Sequence, residues 1–179
     1  PSSELSFSTD NLSGKIGLDY KFDSGNMVYV SVSRGYRAPS FNAQAFFDPS
    51  ELSIADAEKV TAYELGAKTQ FANRTVTLNM AAFYYDYSNQ QFINVDPVTA
   101  AQTLLNIPKS RIYGAEADLS VRANDMLSFR AGIGVLSTKI KRGSVNGIDV
   151  AGNKLSNAPG FTANIGVDLT LMDSDAGKI

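Results

Sequence analysis

The chain has 179 residues, sixteen of them Lys or Arg and eighteen Asp or Glu, and a net charge of −2 gives no reason to expect a nucleic-acid partner. It contains neither cysteine nor histidine. That excludes disulfides, thiol chemistry, Ser-His and Cys-His catalysis and the commonest metal ligand, so no catalytic residue, metal site or cofactor is expected. The length fits one domain or a large piece of one. The sequence opens Pro1-Ser2-Ser3 without a basic or apolar leader, so no signal peptide is visible. It also holds no run of eighteen apolar residues, which argues against a transmembrane helix but leaves a membrane β-barrel open, because barrel strands alternate and average out as polar.

Taken in order, the chain reads as long strands with one apolar and one polar face. The first, residues 12–22, sets Ile16, Leu18, Tyr20 and Phe22 against Lys15, Asp19 and Lys21, and ends in turn residues at 23–26. The second, residues 27–37, sets Val28, Val30 and Val32 against Tyr29, Ser31 and Ser33. A long segment, 38–60, follows, with a short helical turn expected over 54–59. The clearest unit is residues 61–87, TAYELGAKTQFANRTVTLNMAAFYYDY, a hairpin with a tight turn at Ala72-Asn73. Tyr63, Leu65, Ala67 and Phe71 oppose Glu64, Lys68 and Gln70, and Val76, Leu78, Met80 and Tyr84 continue the apolar face on the return strand.

A second long connection is expected over 88–109. A third pair then runs from Tyr113 to Val121 and from Leu127 to Val135, around a turn at Ala123-Asn124-Asp125. With a three-residue turn centred on Asn124, Asp118 falls opposite Arg130. A third long segment, 139–158, carries turn signals at Asn146-Gly147 and Gly152-Asn153. The last strand, FTANIGVDLTL, puts Phe161, Ile165, Val167 and Leu169 on one face and Asp168 on the other.

Short turns therefore alternate with long connections. Loops of about twenty structureless residues count against a compact soluble domain, whereas short turns at one end and long loops at the other are the pattern of outer-membrane barrels. The aromatics agree. Tyr36, Tyr63, Tyr84, Tyr113 and Phe161 lie toward the long loops, and Phe71 lies near the short turns. Such rings mark the two bilayer interfaces. At a tilt near 40°, Tyr63 to Phe71 spans roughly 20 Å, close to the apolar band of such barrels. The polar residues Glu64, Lys68, Glu116, Asp118, Arg130 and Asp168 would then face the lumen. The fold class expected is all-β: an antiparallel up-and-down transmembrane β-barrel segment of about seven strands.

The run VSRGYRAPSFN (residues 32–42), Glu58 followed by YELGAK, FYYDYSNQQ (residues 83–91), Asn106 followed by YGAEADL, and Leu155-x-x-x-Pro159 together resemble the barrel of TonB-dependent outer-membrane receptors. They occur in order over nearly the whole chain. One departure is Ala57, where the family often has proline. The resemblance implies a barrel of about twenty-two strands with a plug domain inside it. Residues 1–179 would be part of that barrel domain, with the plug, the TonB-contacting box and the terminal strands outside this sequence. It implies no enzyme. It implies instead a multi-pass protein of the cell outer membrane, in contact with its lipid and with its own plug. Such a receptor takes up a scarce nutrient such as a ferric siderophore by energy from the TonB complex. Candidate ligand contacts near the outer mouth are Arg37, Phe41, Tyr85, Tyr87 and Gln91, where Arg can pair with an anion and aromatic faces can stack. A passive porin-like channel and a soluble β-sandwich binding module are the alternatives. A membrane-barrel enzyme is disfavoured by the missing histidine.

Overall fold

The computed structural model describes residues 10–42, 53–96 and 102–171, and the backbone of two short strands beyond them. The long strands are β1 (Gly14–Lys21), β2 (Met27–Arg37), β5 (Glu58–Phe71), β6 (Val76–Val95), β7 (Gln102–Arg122), β8 (Leu127–Arg142) and β11 (Phe161–Leu169). Short pairs lie between them: β3 (Ser40–Phe41) with β4 (Ile54–Ala55), and β9 (Ser144–Val145) with β10 (Ile148–Asp149). A last pair, β12 (Asp173–Ser174) and β13 (Gly177–Lys178), follows β11.

The seven long strands make one antiparallel sheet in the order β1-β2-β5-β6-β7-β8-β11. Every long strand lies beside its sequence neighbour, so the sheet is an up-and-down meander, as the alternation and turn spacing predict. At 20 and 21 residues, β6 and β7 are several times the usual globular strand. They project well beyond the span needed to cross a bilayer.

The turns at one end are short and built by identifiable residues. Gly25, at φ 84°, closes the β1–β2 turn with its N–H on the Phe22 carbonyl at 2.9 Å. The β5–β6 turn is wider than Ala72-Asn73 alone. Ala72, Asn73 and Arg74 are all left-handed, and Thr75 returns its hydroxyl to the Ala72 carbonyl at 2.6 Å. Between β7 and β8 the Asn124 side chain accepts the N–H groups of Met126 and Leu127, both at 2.9 Å.

Three expectations need correction. Residues 88–109 are not a loop: most of them extend β6 and β7, paired from Gln90↔Ile107 to Val95↔Gln102. No helical turn forms over 54–59, because Ile54 and Ala55 pair with β3 and Glu58 already opposes Arg37 in β5. Asp118 does not oppose Arg130. The Asn124 turn holds two more residues than expected, so Asp118 faces Gly132 and Arg130 faces Ser120. The Asn146-Gly147 signal does close the β9–β10 hairpin, with both residues at positive φ (51° and 78°).

The sheet has no ordinary core. Among the described apolar residues only Ala55, Ile107 and Ile140 are buried, while Leu65 is 61 % and Ile165 84 % exposed. A contiguous exposed apolar face of this extent marks a contact surface.

Candidate functional site

Register fixes which side chains share a face. On the apolar face Val32, Tyr63, Tyr84 and Tyr113 stand in one lateral row across four strands. The Tyr63 and Tyr84 rings lie 6.2 Å apart. Toward the short turns, Phe71, Val76, Val121 and Phe129 form a second row. Between them lie mainly Val, Leu, Ala, Met and Ile, including Leu65, Met80, Ala117 and Ile133. Phe161, opposite Val135, sits one row inside the tyrosines. Tyr36, opposite Lys59, sits two rows beyond them. The aromatic residues thus frame the aliphatic band, but on β6 and β7 they do so in mid-strand rather than at strand ends.

The opposite face carries Glu64, Lys68, Glu116, Asp118, Arg130 and Asp168, as the alternation predicts. Lys68, Asn79 and Asp118 form one row. Arg130 pairs with Asp168 at 2.7 Å, across to β11 rather than to Asp118. Two glycines on this face, Gly66 and Gly114, are covered by aromatic rings from the neighbouring strand. Tyr29 lies over Gly66, and Phe83 over Gly114, where a Cβ would collide with each ring. The Phe83 ring also stacks on Tyr85 at 5.0 Å and 24°. Tyr85 and Tyr87 therefore continue an aromatic column along the polar face toward the long hairpins.

Tyr87 stands beyond the tyrosine row, half-buried. Burial first, and then the Glu58 carboxylate and Tyr85, push its phenol above the ordinary tyrosine value. It is therefore neutral and able to donate a hydrogen bond. Arg37, exposed, lies opposite Glu58, and Phe41 on β3, opposite Ile54, is half-exposed.

Gln91 has a different environment. It is 7 % exposed, and every polar group of its side chain is engaged. Its amide donates to the carbonyls of Ala38 and Asp56, both at 2.9 Å, and its oxygen accepts from the Ser40 hydroxyl at 2.8 Å. Its backbone N–H donates to the Glu58 carboxylate at 2.8 Å. Asn106 completes the arrangement, accepting from the Asp56 N–H at 2.7 Å and donating to the Asn89 carbonyl at 2.8 Å. Together these bonds strap the segment between β2 and β5 onto the extended β6–β7 hairpin. Sequence reasoning singled out Gln91 as a ligand contact and left Ser40, Asp56 and Asn106 without a role. The only sign of them was that Ser40, Glu58, Gln91 and Asn106 each lie in or beside one of the separate motifs quoted above. The structure brings those motifs to one point.

The family model described as "TonB dependent receptor-like, beta-barrel" matches residues 2–176. A probable TonB-dependent siderophore receptor of Acinetobacter baumannii, PiuA, is 24 % identical over 139 residues, covering 75 % of this chain and 18 % of that protein. Among solved structures, the ferric yersiniabactin uptake receptor FyuA of Yersinia pestis superposes with a TM-score of 0.70 and 24 % identity, over 93 % of this chain and 24 % of that one. The copper transporter OprC does so with a TM-score of 0.67 and 15 % identity, over 87 % and 23 %. The chain thus spans about a fifth to a quarter of each of these relatives.

Proposed function

Because this chain belongs to the TonB-dependent receptor β-barrel family, whose members are outer-membrane barrels and not enzymes, we propose that it is part of the wall and outer loops of a receptor for active nutrient uptake. The cargo proposed is a ferric siderophore. The observation that carries the reading is the two-faced sheet: an aliphatic band framed by aromatic rows on one face, and polar and charged side chains on the other. The aliphatic band faces outer-membrane lipid, with Tyr36, Tyr63, Tyr84, Tyr113 and Phe161 toward the outer interface and Phe71 toward the inner one. Glu64, Lys68, Glu116, Asp118, Arg130 and Asp168 face the lumen and the plug of the same receptor. The TonB complex acts through parts of that receptor outside this chain.

Arg37, Phe41, Tyr85 and Tyr87 are the ligand contacts proposed. One cation, aromatic faces and a neutral phenol suit a flat, anionic chelate. Gln91 holds their supporting segment in place rather than meeting the ligand itself. Support for an iron chelate comes from the names of the relatives, which include siderophore and ferric yersiniabactin receptors; OprC shows that the same architecture carries other cargo. The test is growth of a strain deleted for the full-length receptor on a panel of ferric siderophores, each as sole iron source. Loss of growth on at least one, restored by the wild-type gene and reduced by Arg37→Ala with Tyr85→Ala, is expected. Normal growth on all of them sinks the siderophore assignment.

A further inference from the structure

The β6–β7 ladder lapses at one level. Asn89 is left-handed, at φ 53°, and Pro108 across from it has no N–H to give, so pairing skips from Ser88↔Lys109 to Gln90↔Ile107. Above this break the hairpin meets a different segment on each side. Gln91 holds the strap between β2 and β5. Gln90, Phe92 and Asn94 instead bound a cavity of about 550 Å³, the size of a small-molecule site. Its far wall is the segment between β10 and β11, already pinned to β8. Gly152 N–H donates to the Ile140 carbonyl and Ile140 N–H to the Asn153 carbonyl, both at 2.8 Å. Leu155 N–H donates to the Thr138 hydroxyl at 2.9 Å. The floor is aliphatic, with Ile107 and Ile140 buried.

The polar part of the lining is carboxamide, not charge. The Gln90 oxygen accepts from the Ser110 hydroxyl at 2.7 Å, which leaves its NH2 group free to donate. Asn94 reaches Asn146 only at 3.5 Å, and the Asn153 side chain has no partner among the described residues. Lys154, exposed, is the one charge among the described lining residues. This lining selects a ligand. A strongly anionic group would meet one exposed lysine and an aliphatic floor, at a high desolvation cost. A sugar ring carries hydroxyls around its whole rim and would press some of them, unpaired, against Ile107 and Ile140. A peptide has N–H and C=O groups that carboxamides match in both senses, with apolar surface between them. We infer that this cavity binds an uncharged, peptide-like arm of the transported chelate. Tyr87, Ser110 and Ile140 are register partners in one lateral row of the polar face, so the floor begins two strands, about 10 Å, from Tyr87. The inference rests on the ligand contacts proposed above and narrows the cargo to chelates with such an arm.

The test is calorimetry on the full-length receptor in detergent, with three ferric chelates that share one hydroxamate head. One is bare, one carries a neutral capped tetrapeptide, and one carries a neutral disaccharide. The peptide arm is expected to tighten binding to the wild type roughly twentyfold over the bare head, at about fivefold for each of two hydrogen bonds. Asn94→Ala with Asn153→Ala should abolish most of that gain. A peptide arm that adds nothing overturns the proposal, as does a gain that survives in the alanine pair or a disaccharide that gains as much. The wild-type comparison stands even if the alanine pair does not fold. The free capped peptide, at millimolar concentration, reads the cavity without the head. It should slow exchange of the Leu155 amide in the wild type, and unchanged exchange overturns the proposal. Slowed exchange with no binding of any of the three chelates would leave the peptide site standing and strike the siderophore assignment instead.

Discussion

The side-chain amide of Gln91 donates both to the carbonyl of Asp56 and to that of Ala38, so a single residue of β6 closes the two ends of the segment between β2 and β5 onto the sheet. Removing it leaves the Ala38 carbonyl and the Ser40 hydroxyl without this partner and takes one of two donors from the Asp56 carbonyl, which keeps the Asn106 amide at 3.1 Å, at a cost of about 1–3 kcal/mol. The loss should be local. Gln91→Ala in the full-length receptor is expected to speed amide exchange at Asp56 by about tenfold or more, while the temperature at which the barrel unfolds barely moves. Unchanged exchange would mean that the strap is held elsewhere.

Met80 lies between the Tyr84 and Phe71 rows on the aliphatic band, and Asn79 beside it points the other way, between Lys68 and Asp118. With the band facing lipid, Met80→Arg should destabilise the receptor by about 2–4 kcal/mol near the bilayer midplane. Asn79→Arg adds a cation beside Asp118 in the lumen and should cost far less. Urea titration in phospholipid vesicles reads both. Equal costs would show that the two faces have been assigned the wrong way round.

Arg130 and Asp168 form the cross-strand pair at 2.7 Å, with both side chains more than half exposed. A double-mutant cycle should give a coupling under about 1 kcal/mol for this pair, and none for Arg130 with Asp118. A measured coupling to Asp118 would contradict the register.

The Arg130 pairing shows where sequence reading stops. Strict alternation within β5 and β8 is a local, period-2 signal, so strand faces, strand order and both aromatic rows were legible. Register across the β7–β8 turn was not, because the Asn124 side chain organises a longer turn than its sequence announces. The upper halves of β6 and β7 were also missed. There, polar residues such as Gln90, Asn94 and Asn106 break the alternation once the strands leave the apolar band. Gln91 lies 35 residues from Asp56 and 53 from Ala38, and contacts at that separation leave no periodic trace.

Gly66 and Gly114 both lie under a ring, but their surroundings differ. The three atoms nearest an added Cβ at Gly66 all belong to the Tyr29 side chain, whereas at Gly114 the nearest is the backbone carbonyl of Val135. A side chain can turn aside and a sheet carbonyl cannot. Both alanine variants should destabilise by about 1–3 kcal/mol, with Gly114→Ala the worse. Tyr29→Leu should rescue most of Gly66→Ala. Phe83→Leu should rescue little of Gly114→Ala, as read from the temperature at which the receptor loses its folded mobility on gels.

Tyr87 offers a test by titration. Its phenol is held above the usual value near 10, chiefly by burial and then by Glu58. The folded state therefore prefers the proton more strongly than the unfolded chain does. This contribution to stability is complete below about pH 10 and declines as the pH rises through the raised value. Tyr87→Phe should remove one late-titrating phenol from the alkaline absorbance curve. It should leave stability below pH 10 free of any new pH dependence, and should flatten the loss above it. A phenol titrating at or below the ordinary value would place Tyr87 in open water, and would contradict the half-buried environment described for it.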